Sequence, residues 1–157
     1  MTPELDALLS ELEPPDEANL EIRLRFGLAV CKRVSHLLER PEVLANLKTL
    51  ERVLNRQDMR AELPALVAQA AQLANSHQGS RSLDGVGHAA VSATYACAKA
   101  VDGQARQAAE YAAYAVVYGE GGYGATGDAS AFEPEFRWQA EALRALLRQR
   151  DGSASMA

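Results

Sequence analysis

The chain is poor in aromatics, at 6% of its residues, and β-branched residues are thinly scattered. Its apolar share of 48% is therefore carried largely by alanine and leucine, which are strong helix formers. No alternating strand pattern with turn chemistry occurs anywhere. No apolar run approaches the roughly 20 residues that cross a bilayer. The opening MTPELDALLSELEPPDE has neither a basic nor a continuous apolar region, which excludes a signal peptide and makes the cytoplasm the expected compartment. Cysteine is scarce too. Cys31 and Cys97 lie far apart inside helical patterns, without CxxC or a Cys/His cluster, so two buried reduced thiols are expected and no metal.

Catalytic motifs are missing as well. GEGGYGATGDAS, residues 119–130, has the glycines of a phosphate cradle but no lysine and no preceding strand, and Glu120 and Asp128 repel phosphate. His36, His77 and His88 are dispersed, no HExxH exists, and the serines have no nucleophile elbow. Glu133 and Glu135 flank Pro134 at a helix start, where acids favour the helix dipole. We expect no catalytic residue, no enzyme activity and no cofactor.

A chain of 157 residues is one domain's worth. Thr2 and Pro3 cap a short helix, Pro14-Pro15 stops it, and Asp16 caps a second helix over about 17–40, apolar enough to be central. A third helix starts at Pro41. In a fourth segment Pro64 marks either a kink or the true start. Residues 76–82 form a loop. Helix five, about 83–101, presents Ala89, Ala90, Ala93, Ala96, Cys97 and Ala100, and helix six, about 104–118, answers with Ala105, Ala108, Ala109, Ala112 and Ala115. Asp102-Gly103 joins them tightly, so they should form an alanine-rich antiparallel hairpin with closely approaching axes. A glycine-rich loop over 119–131 leads to a last helix over 134–150 and a disordered tail at 151–157. The fold expected is all-α: a single domain over 1–150, an irregular bundle of six to seven helices.

Net charge is -5, unevenly spread. Residues 1–22 carry acids with no compensating base, Arg23 to Arg60 is a basic stretch, and Glu110 to Glu141 is acidic again. Overall acidity argues against nucleic-acid binding, and the basic middle can pair with the acidic flanks of its own chain.

The tyrosines remain. Tyr111, Tyr114 and Tyr118 share one helical face. They either roof the alanine hairpin or form an interface, since stiff aromatic area is enriched at binding hot spots. In the second reading Tyr123 and the acids Glu120, Asp128, Glu133 and Glu135 extend the patch, with Arg137 and Trp138 beside it, and an acidic rim steers a basic partner.

The segments RLRFGLAVCKRVSHLLE, GVGHAAVSATYACAKAV, QARQAAEYAAYAVVY and EFRWQAEALRALL together resemble the small, alanine-rich, all-helical bacterial immunity proteins of the Imm5-like type. The resemblance spans about residues 20–147, with His88-Ala89-Ala90 and Trp138-Gln139 aligning most readily; the glycine-rich loop before Phe132 departs from the pattern. It implies a protein that binds a cognate toxin and neutralises it by occlusion. The alternative is a helical scaffold or oligomerisation module with no toxin partner.

Overall fold

A computed structural model describes residues 1–77 and 86–156. Among these residues there are seven α-helices and no strand. They are α1 (Pro3–Glu11), α2 (Glu17–Arg33), α3 (Pro41–Asn55), α4 (Leu63–Asn75), α5 (Val86–Val101), α6 (Ala105–Ala125) and α7 (Glu133–Met156). Short 3-10 turns at Ser35–Leu37, Gln57–Glu62 and Ala129–Phe132 join some of them. The side chains of Gln57, Val86, Tyr123 and residues 153–156 lie outside the description, as does most of the expected loop at 76–82. No helix among the described residues is long and apolar enough to cross a membrane.

The helix starts follow from local chemistry. The Leu5 amide donates to Thr2 Oγ1 at 3.4 Å, and the Asn19 amide donates to Asp16 Oδ1 at 2.8 Å. Each bond satisfies an otherwise orphaned amide of a first turn. Pro64 sits in the first turn of α4, where its missing N–H costs nothing, so it starts the helix instead of kinking it.

Three boundaries differ from the sequence reading. α2 stops at Arg33, well short of residue 40, because Ser35 Oγ donates to the Lys32 carbonyl at 2.8 Å and Pro41 holds Arg40 extended. α6 continues through Gly119, Glu120 and Gly121, so much of the expected 119–131 loop is helix; the break comes at Gly122, with φ 64° and ψ -158°. That backbone region is essentially open to glycine alone. α7 runs on to Met156, so residues 151–156 of the expected disordered tail are helix instead, while residue 157 lies outside the described residues.

The alanine hairpin is the heart of the bundle. Ala89, Ala90, Ala93, Ala96 and Ala100 on α5 are buried, as are Ala105, Ala108, Ala109, Ala112 and Ala115 on α6. Gly103 turns between them with φ 74°. With no bulk between them, the two helices make the most extensive helix–helix contact in the molecule. α2 lies across the pair through Leu24, Phe26, Val30 and Cys31, all at most 1% exposed. α3 and α4 cover one side of this centre, and α1 and α7 cover the other. Gln139 of α7, fully buried, donates from Nε2 to the Ala109 carbonyl at 3.0 Å and fixes α7 against α6.

Candidate functional site

The tyrosine stripe of α6 is only partly a surface. Tyr111 is half-buried, with its ring stacked on Tyr95 of α5 at 5.3 Å between centroids. Tyr95 in turn donates its hydroxyl to Asn75 Oδ1 at 3.1 Å, linking the hairpin to α4. Tyr118, also half-buried, stacks on His88 at 5.5 Å. These two rings roof the hairpin. Tyr114 differs, being 44% exposed, the most open of the three.

Tyr114 does not stand alone. Its ring meets Phe132 at 5.0 Å with the planes at 71°, and Phe132 stacks on Phe136 at 6.2 Å. All three rings line a cleft of about 620 Å³. Glu110, Glu133 and Met1 line it as well. The fold assembles this cleft in two steps. Gly122 breaks α6 beyond Tyr118, and the short turn at Ala129–Phe132 carries Phe132 back over the tyrosine face. Asp128 holds that turn, accepting from the Ser130 amide at 3.0 Å and the Ser130 hydroxyl at 2.7 Å. These two bonds draw its carboxyl below the ordinary value. Asp128 is therefore a cap that shapes the cleft.

The remaining proposed acids separate. Glu133 belongs to the cleft. Glu120 lies two residues past Tyr118, far around the helix from the tyrosine stripe, and lines a second cleft of about 360 Å³ with Arg33, His36 and Glu135. Glu135 is not part of an exposed acidic skin. It is 3% exposed, and Arg33 Nε lies 2.9 Å from each of its carboxylate oxygens. Burial raises its carboxyl above the ordinary range, and the negative Glu120 adds to that, while Arg33 opposes it. The guanidinium of Arg33 also covers the Trp138 ring at 4.3 Å from its centroid, so Trp138 turns toward this second cleft. The side chain of Tyr123 lies outside the described residues.

Of the residues lining the cleft, the patch expected from the sequence contains only Tyr114 and Glu133. Glu110 carried a usable signal, since it lies one helical turn before Tyr114 and shares its face. Phe132 gave little warning, because its position depends on the turn held by Asp128.

The cysteines meet in the core. Cys31 of α2 and Cys97 of α5 are buried and not disulfide-bonded. Burial pushes the Cys31 thiol well up, and its contact with Cys97 pushes it further, which makes it a poor nucleophile. No group of three or more His, Cys, Asp or Glu able to hold a metal ion occurs among the described residues. No protein-family model, curated protein or solved structure matches the chain.

Proposed function

We propose that this is a binding protein that takes a partner on its Tyr114 face and neutralises it by covering it, the partner being a toxin protein with a basic contact surface. The observation that carries the reading is the exposure of Tyr114, at 44%, in a concave, aromatic-walled cleft. A stiff ring left open beside a hollow offers contact area at small entropic cost. Glu110 and Glu133, which line the cleft, make no ion pair among the described residues, so their charge remains to steer a basic surface. The likeness of the helical segments to Imm5-like immunity proteins points the same way.

The test is survival of cells that co-express the chain with the product of the adjacent reading frame. Rescue from a lethal neighbour is expected, and Tyr114→Ala should weaken it while circular dichroism keeps its helical signal. Replacement of a hot-spot aromatic by alanine typically costs about 2 kcal/mol or more in binding. A neighbour that is harmless, or rescue that Tyr114→Ala leaves intact, counts against the reading.

A further inference from the structure

From the geometry of the Tyr114 cleft we infer that it is a socket for a single arginine side chain, presented by a basic segment of the partner. The inference rests on the reading of this face as a binding surface and specifies what that surface grips. Two observations combine in it. The first is aromatic: Tyr114, Phe132 and Phe136 all line the cleft, Tyr114 meeting Phe132 edge-to-face at 5.0 Å and Phe132 stacking on Phe136 at 6.2 Å. Ring faces carry partial negative charge and attract a cation held within about 6 Å. The second is charge. Glu110 of α6 and Glu133 at the start of α7 both line the hollow, so carboxylates come to it from two elements.

Among the described residues no cation is ion-paired with Glu110 or Glu133, although Met1 lines the same cleft and Arg106 Nη1 lies 3.5 Å from Met1 Sδ. Arg106, one turn before Glu110, is held by Asp6 and by Glu13, the latter at 3.1 Å. Arg137, exposed one turn beyond Glu133, makes no ion pair with it among the described residues, and neither does the Met1 ammonium. A planar guanidinium suits such a place better than an ammonium. It is weakly hydrated, stacks on aromatic faces, and presents a fork of donors to carboxylates on separate sides. The cleft of about 620 Å³ is roomy enough to take the aliphatic stem as well.

The experiment uses the full chain and no toxin. Acetyl-Ala-Arg-Ala-amide is titrated against it while the ring resonances of Tyr114 and Phe132 are followed by NMR, with the citrulline peptide, nearly identical in shape but neutral, run in parallel. We expect saturable shifts with the arginine peptide, at least about tenfold weaker binding of the citrulline peptide, and a similar loss in Tyr114→Leu. Tyr114→Phe keeps the ring face and should keep the binding, which separates loss of the aromatic wall from loss of the fold. The double change Glu110→Gln, Glu133→Gln should weaken binding about three- to tenfold and flatten its salt dependence. Equal binding of the two peptides, or shifts that Tyr114→Leu leaves unchanged, overturns the socket. This readout is independent of the survival assay. Arginine binding without a lethal neighbour leaves the socket standing and removes the toxin, whereas rescue without arginine binding does the reverse.

Discussion

Arg33 is asked to do two things at once, stacking on Trp138 at 4.3 Å and holding both oxygens of Glu135. The pair joins α2 to α7, yet the raised carboxyl of Glu135 says that desolvation outweighs the attraction of the guanidinium. Because its folded value lies above the ordinary one, folding favours the protonated acid. Its contribution is therefore greatest below the ordinary carboxyl range and declines as pH rises through the raised value. Glu135→Gln should cost only about 1 kcal/mol, since the amide still offers Arg33 an acceptor and Arg33 itself is partly in water. Urea unfolding at a series of pH values checks this. The advantage of the native protein over the variant should shrink from acid toward neutral pH; an advantage that grows would mean the ion pair is a net stabiliser. None of this was visible in the sequence. Glu133 and Glu135 flank one proline with the same local pattern, and only the packing of α7 against α2 turns one outward and the other in.

Among the helices, the elements that could be read in advance were those whose cause is local. Thr2, Asp16 and Pro41 mark helix starts by chemistry that acts within one turn, and the facing alanines of α5 and α6 declare their pairing by size. The stretch after Tyr118 could not be read that way. Its glycines each disfavour helix by about 1 kcal/mol, but Gly119 sits where an added carbon would lie 3.4 Å from Leu37 and 3.9 Å from Ala89, so close packing keeps the helix going. The cleft was half legible for the same reason. Tyr114 announced itself by spacing, while Phe132 reaches it only through the break at Gly122 and the Asp128 turn. Close packing also sets a sharp test at Gly27, where a methyl group would fall 2.8 Å from Ala100 Cβ and 3.0 Å from its Cα. The gain in helix propensity from Gly27→Ala is about 1 kcal/mol, but α5's backbone must move to admit the methyl, at about 1–3 kcal/mol. The expected net result is lower stability on chemical denaturation. Gly152→Ala, whose added carbon would meet nothing within 4 Å among the described residues, should be neutral or slightly stabilising, and like behaviour at both positions would deny the close approach of α2 and α5.

Across the molecule, the uneven charge of the chain resolves into internal straps. The acidic opening is tied down by Arg106 on Asp6 and Glu13, Arg144 on Glu4, Arg60 on Glu17 and Arg25 on Glu21. Most of these pairs are exposed and individually worth little, so they distribute charge more than they hold the fold. Arg23 is of another kind. Its Nε donates to the Gly103 carbonyl at 3.0 Å, and its Nη1 donates to the carbonyls of Leu12 at 2.6 Å and Pro14 at 3.4 Å. One half-buried side chain thereby joins the end of α1, the proline turn after it and the turn of the alanine hairpin, segments far apart in the chain. Carbonyls at a helix end and in a tight turn have no helical partner, so the guanidinium satisfies those of Leu12 and Gly103, while that of Pro14 also accepts from the Asp16 amide at 2.9 Å and Asn19 Nδ2 at 3.0 Å. The fork is what matters, because a single ammonium cannot face the hairpin turn and the α1 end together. Arg23→Lys should therefore keep the charge yet lose about 1.5–3 kcal/mol, the range for hydrogen bonds to a charged group. Urea denaturation followed by circular dichroism measures it, with the midpoint falling and the slope unchanged if the bundle still unfolds as one unit. A lysine variant as stable as the native chain would show that charge alone suffices there, and that the end of α1 and the hairpin turn are held together by packing without this clasp.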